Sequence, residues 1–322
     1  MKRPVPPQVF DLRVYFWLAA SVLDAVDSVT SKSQIADCYS LREIPFTCQG
    51  GRCRLFSLHC SQASIGEYRV LLLIREEQLN LLGRIPHTSF EAELVRHFMR
   101  YYPHECGRAG TAHVRKLVCL GISRGLVHGY TAHREIGLFI NLMVMLGSGF
   151  TSDPQIPWAL AQLNDLAIDD PFQRIQRVFR SSLQYLENCF GPKSGGMVKT
   201  LIRIRDFDLA SAPRSVGLQL YEDLSKLFQY LCPPKYSAQG EASTRELISA
   251  GFDRAELYGV KSSVGRAVHI TLMFMLGARF DEDPLYPWAG QVLRDKSLAD
   301  EATRVRSLYN AAMQYINEVL SE

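Results

Sequence analysis

What most constrains this chain is that its second half repeats its first. Set against itself at an offset of 130 residues, the sequence pairs Gly129, Leu142, Met143, Met145, Leu146, Gly147, Phe150, Asp153, Pro154, Pro157, Trp158 and Ala159 with Gly259, Leu272, Met273, Met275, Leu276, Gly277, Phe280, Asp283, Pro284, Pro287, Trp288 and Ala289. The register holds without a gap from Leu94 to Leu186, where 28 of 93 positions are identical. Shared prolines and a shared tryptophan are hard to match by composition alone, so the pattern reads as a duplication. Further out, Leu71, Ile74, Arg75 and Leu79 lie over Leu201, Ile204, Arg205 and Leu209. Copy one is therefore placed at 70–191 and copy two at 197–322, with the glycine-rich segment 191–196 as the polar linker expected at a boundary. A unit of roughly 125 residues can bury a core of its own, so two domains are expected rather than a solenoid.

Each copy reads as helices. Thr88 or Ser89 can cap a helix whose apolar face is Phe90, Leu94, Phe98 and Tyr101, stopped by Pro103. Copy two repeats that face as Leu220, Leu224, Phe228 and Leu231, stopped by Pro233 and Pro234. Thr111 can open a second helix through Leu117, Leu120 and Val127, closed by Gly129. Thr131 can cap a third, Ile136 to Leu146, which lacks a polar face and is closed by Gly147; such a helix is buried on all sides and too short to span a bilayer. A loop with Asp153, Pro154 and Pro157 leads to a short helix carrying Trp158 and Leu163. Asp170 before Pro171 is an N-cap followed by proline at the first helical position, opening a last helix with Ile175, Val178, Phe179, Leu183 and Leu186 on one side. Copy two ends likewise through Val305, Leu308, Tyr309, Met313 and Ile316. Strand candidates are 69–74 and 201–204. The expected fold is all-α, two tandem helical-bundle domains behind a weakly structured extension, 1–69.

That extension carries Cys38, Cys48, Cys53 and Cys60, half of the eight cysteines. Their spacing is not a paired Cys-x-x-Cys knuckle, which weighs against zinc despite His59 beside Cys60. The apolar run 14–23 lacks the cationic start and small-residue cleavage site of a signal peptide. A disordered segment or a start assigned too far upstream fits better. Scattered cysteines favour a reducing compartment, and no run reaches the length of a membrane span, so a cytoplasmic protein is expected.

Chemical motifs are sparse. No phosphate-binding glycine loop, nucleophile elbow or His-Glu-x-x-His helix occurs. His97, His104, His113, His128 and His133 of copy one, with Cys106, could in principle build a metal site, but their counterparts in copy two are Leu227, Pro234, Ser243, Tyr258 and Ser263. Surface or capping roles are expected, and neither metal nor cofactor. The sharper candidates occur twice: Arg124 and Arg254, Asp153 and Asp283, Trp158 and Trp288, Asp165 and Asp295, and also Arg174 and Arg304. As structure, an arginine reaching a loop aspartate, or aspartates capping helices, would hold the loop to the core. As chemistry, the carboxylates would line an open pocket with perturbed proton affinity, as in a hydrolase. Tryptophan at a Pro-Trp step serves as a buried loop-to-helix joint, or less simply as a ligand cage. Met143, Met145, Met273 and Met275 are core filler.

The segment Gly129-Tyr130-Thr131, the apolar block 142–147 and the block 150–159, the last two recurring at 272–277 and 280–289, resemble small uncharacterised all-helical proteins of Gram-negative bacteria encoded near type VI secretion effector and adaptor genes. The resemblance covers both copies and leaves 1–69 outside. It implies a bacterial cytoplasmic protein serving toxin delivery or protection, and carries over no catalytic residue.

The leading expectation is a non-enzymatic interaction protein, an adaptor, chaperone or immunity-type partner of another bacterial protein such as an effector, toxin or secretion component. A hydrolase built on the repeated Asp and Arg residues is the rival. Nucleic acid ranks last as a partner: 36 Lys+Arg against 33 Asp+Glu leave a formal charge of +3, and no segment has the basic excess that phosphate contacts need. No membrane partner is expected.

Overall fold

The computed structural model describes the backbone of residues 39–44, 53–60, 70–191, 195–298 and 300–321, and side chains from Ser89 onward. The chain divides into two compact units, one holding 98–322 and the other 19–97. The smaller unit contains three antiparallel strands in the order β1 (Tyr39–Ile44), β2 (Cys53–Cys60) and β3 (Val70–Arg75). Cys60 faces Tyr39 across the first pair, and Arg75 faces Cys53 across the second. The strand expected at 69–74 is thus β3, an edge strand paired with β2. The all-α expectation is corrected for this sheet alone.

From there the described chain is helical: α1 (Glu76–Tyr101), α2 (Pro103–Ala109), α3 (Thr111–Val127), α4 (His133–Leu146), α5 (Pro157–Leu163) and α6 (Pro171–Phe190). There follow α7 (Gly195–Arg205), α8 (Leu218–Leu231), α9 (Pro233–Leu257), α10 (Ser263–Leu276), α11 (Pro287–Arg294) and α12 (Glu301–Ser321). Among the described residues no helix is long and apolar enough to cross a membrane. Two expectations need correction. α1 begins at Glu76 rather than at a Thr88 or Ser89 cap. Residues 201–204 are not a strand but the buried face of α7, because Thr200, Leu201 and Ile204 sit at helical spacing and all are buried.

Element bounds follow the sequence offset closely. α4 and α10 begin and end 130 residues apart, and the short 3-10 turns Phe150–Ser152 and Phe280–Glu282 do the same. Proline opens α2, α5, α6, α9 and α11, where its missing N–H would lack a helical partner anyway. α9 breaks at Gly240 (φ 79°), the position at which Gly110 (φ 83°) separates α2 from α3.

The apolar helix of each copy is the centre of its packing. Nine consecutive residues of α4, Glu135 to Met143, are buried. α4 lies against α3 and α6, and α10 against α8, α9 and α12. In copy two Phe228 and Phe274 stack at 4.3 Å within a core that includes Leu224, Leu247, Ile270 and Leu308. Two glycines set the crossing of the central helices. A Cβ on Gly121 would fall 2.3 Å from Ile140 Cγ1, and one on Gly251 would fall 2.5 Å from Ile270 Cγ1. Gly137, on the same central helix, has nothing within 4 Å of the corresponding point.

This contrast gives a paired expectation. Gly121→Ala or Gly251→Ala forces the helices apart and lowers unfolding stability by about 1–3 kcal/mol. Gly137→Ala, which installs the residue found at Ala267, raises it by about 0.5–1 kcal/mol through helix propensity. Urea denaturation followed by circular dichroism measures both.

Candidate functional site

Two of the repeated residues, Asp153 and Asp283, meet at the join between the copies. α4 and α10 each end in a glycine of positive φ, Gly147 (95°) and Gly277 (102°), a conformation that side chains with a Cβ rarely adopt. The two turns face each other: a Cβ on Gly147 would lie 3.1 Å from the Leu276 carbonyl, and one on Gly277 would lie 3.3 Å from the Leu146 carbonyl. Beyond the turns, the aspartates cross over. Asp153 Oδ2 accepts from the Ala278 N–H at 2.9 Å, and Asp283 Oδ2 accepts from the Ser148 N–H at 2.6 Å. The other oxygen of each carboxylate closes its own loop, accepting from Gln155 N–H and Leu285 N–H, both at 2.9 Å. Shifting copy-one numbers up by 130 and copy-two numbers down by 130 turns one set into the other, so the exchange is reciprocal.

Both carboxylates are buried. Burial pushes their proton affinity up, and the backbone N–H donors oppose it. A different cation assists each side. Lys235 lies near Asp153, and Arg124, which donates to the Ser148 carbonyl, lies near Asp283. Lys235 is itself buried, donates to the Phe274 carbonyl and sits 4.9 Å over that ring. Burial depresses its proton affinity, and Asp153 is the main opposing influence. The thiol of Cys189 beside it is pushed up to about 11 by burial. A thiol of that affinity stays protonated near neutral pH and packs rather than attacks.

The other repeated residues are placed as follows. Trp158 packs on Tyr185 (ring centroids 5.8 Å) and Trp288 on Tyr315 (5.9 Å), each tryptophan meeting the last helix of its own copy. Asp165 accepts from Ala167 N–H and pairs with Arg177 at 2.8 Å, and Asp295 accepts from Ser297 N–H and Oγ–H. Both stabilise turns after a short helix. Arg304 donates to the carbonyls of Tyr258 (2.7 Å) and Leu298 (2.5 Å). The anticipated contact between a second-helix arginine and a repeated aspartate takes another form: Arg124 meets a carbonyl and Arg254 pairs with Asp281. Among the described residues no three His, Cys, Asp or Glu side chains group as a metal site requires. The cysteines and histidine weighed for zinc at 1–69 lie outside the described side chains.

Copy two carries one polar cluster that comparison of shared residues passes over. Asp281 Oδ2 accepts from Arg254 and from the Tyr258 hydroxyl at 2.6 Å. Arg294 donates to the Tyr258 oxygen at 3.3 Å and to the Asp281 carbonyl at 3.2 Å, and Arg254 also pairs with Glu282 at 3.0 Å. His269 lies beside it between the rings of Tyr258 and Phe280. It is fully buried, and neither ring nitrogen has a hydrogen-bond partner among the described residues. Its counterpart in copy one is Phe139, and Thr151 stands where copy two has Asp281. The available signal was divergence inside an otherwise matched block.

No family model, curated protein or solved structure matches this chain.

Two expectations follow. Asp153→Asn and Asp283→Asn each turn an NH2 group toward a buried N–H donor and lose a charged acceptor, costing about 1.5–3 kcal/mol. The double variant loses less than the sum, because both act on one join. For His269, burial depresses the folded-state value to about 4 from an ordinary 6.5. Between these values the unfolded chain takes up the proton and the folded chain does not, so stability is lost as pH falls from 6.5 toward 4, by up to about 3 kcal/mol. His269→Phe flattens that slope in denaturant titrations run across the window.

Proposed function

We propose that this chain is a non-enzymatic protein-binding module made by tandem duplication of one helical unit. In this reading it serves in the bacterial cytoplasm as an adaptor, chaperone or immunity-type partner of a protein linked to toxin secretion. The observation that carries the proposal is an apolar corner of copy one whose counterpart in copy two is mostly charged. Leu126 and Val127 end α3 on the surface, Val127 being 83% exposed, and Leu166 after α5 is 80% exposed. His128, next to Val127, and Asn164, two residues before Leu166, lie close enough for their side chains to interact. In copy two the matched positions are Glu256, Leu257 and Lys296, so the same corner is mostly charged. Large apolar side chains clustered at a surface are the usual signature of a contact site.

The repeated aspartates support the same reading. Each spends both oxygens on backbone N–H groups of the protein itself, as a structural carboxylate does.

Tagged chain purified from its native cell carries a stoichiometric protein partner, and Val127→Lys with Leu166→Lys releases it while leaving the melting temperature within a few degrees. Repeated recovery of the bare chain, or retention of the partner by the double variant, counts against the proposal.

A further inference from the structure

We infer that the apolar corner of copy one docks on the same corner of a second copy of this chain, with the two α3 helices packed antiparallel about a two-fold axis. The inference deepens the reading of this corner as a protein contact surface and rests on it. Along α3, Lys116, Cys119, Ser123, Leu126 and Val127 are exposed and Leu120 is half-buried. At 3.6 residues per turn, Lys116 lies about 20° round the helix from Val127 and roughly 16 Å from it along the axis. Between these two positions α3 exposes no charged residue. Leu160 and Leu166 continue the apolar surface beyond Val127. Copy two exposes the matched positions of its helix in the same pattern but keeps charge there. Asp253, Glu256 and Lys296 stand where copy one has Ser123, Leu126 and Leu166, and Ala250 and Gly290 stand where it has Leu120 and Leu160.

Charge complementarity selects the occupant. Lys116, with Arg115 beside it, places positive charge at one end of the face. The loop that carries Leu166 places negative charge at the other end, since residues 159–173 contain Asp165, Asp169 and Asp170 and no Lys or Arg. Asp165 pairs with Arg177 and Asp170 caps α6, while Asp169 is exposed. A surface that is basic at one end, apolar in the middle and acidic at the other becomes its own complement when turned by half a revolution, which is what a two-fold dimer requires. Antiparallel packing sets each chain's Lys116 beside the other's Asp169. Ser123 falls about midway between the two ends, so it lies near the axis, where a small side chain lets the helices approach. In copy two the same arrangement would bring Asp253 against Asp253, a like-charge contact that excludes the pairing. The dimer covers the corner in the free chain, and any foreign partner has to displace it.

Analytical ultracentrifugation of the full-length protein, from low micromolar to submillimolar concentration, is expected to show a reversible monomer–dimer equilibrium. Ser123→Asp with Leu126→Glu, which installs the residues copy two carries at these positions, weakens it at least tenfold; Val127→Lys tests the same surface should that variant fail to fold. Lys116→Glu and Asp169→Lys each weaken self-association at least threefold. An equal mixture of those two chains regains the dimer, because only the mixed pair has opposite charges at both ends. A monomer throughout the concentration range overturns the inference, whereas a different protein recovered on this corner from the native cell would still uphold the broader reading. A dimer indifferent to the α3 variants overturns the surface. A mixture that associates no better than either chain alone overturns the antiparallel arrangement.

Discussion

The structure of copies one and two depends on a pair of carboxylates, each placed in the other copy's turn. Asp153 and Asp283 are buried at the join, and each links its own loop to the backbone that follows Gly277 or Gly147. Such an arrangement is stable only if every oxygen is supplied with donors, since an unsatisfied buried charge costs several times what a good hydrogen bond contributes. The supply is entirely backbone N–H, supplemented on one side by Gln155, which bridges Asp153 to the Met273 carbonyl. Because these donors exist only when both turns are formed, each copy's loop is completed by its neighbour. The Asp-Pro and Pro-Trp steps then place the short helices, and through them the tryptophans on the last helices.

With the join held by residues the copies share, the remaining positions have diverged into different chemistry. Lys235 stands opposite Glu105, His269 opposite Phe139 and Asp281 opposite Thr151. On the surface the apolar corner of Leu126, Val127 and Leu166 faces a counterpart with Glu256 and Lys296. Inside, copy one uses a Tyr102–Asn141 hydrogen bond where copy two has Cys232 and Thr271.

Much of the helical order was legible because it rests on local signals. Glycines at 129, 147, 259 and 277 all adopt positive φ, and prolines 103, 157, 171, 233 and 287 all open helices, as steric rules dictate. Burial of α4 on all sides followed from its lack of a polar face. Residues 201–204 form a short apolar run compatible with strand or helix, and its surroundings choose between them. Thr88 and Ser89 are residue types able to cap, yet they lie inside the longer helix α1. The sheet of β1, β2 and β3 depends on pairing between segments whose alternation is weak, and only one of the three was visible.

The sequence by itself determined that the chain is largely helical, where many of its helices stop, and which polar residues recur at an offset of 130. It could not say what those residues touch. Shared Asp153 and Asp283 were equally compatible with a cap, an arginine partner or an open pocket, because a conserved offset records position along the chain and not direction in space. Tertiary structure alone decided that each aspartate reaches into the opposite copy and that Arg254 turns to Asp281. These outcomes depend on packing between segments more than a hundred residues apart, for which no local pattern exists.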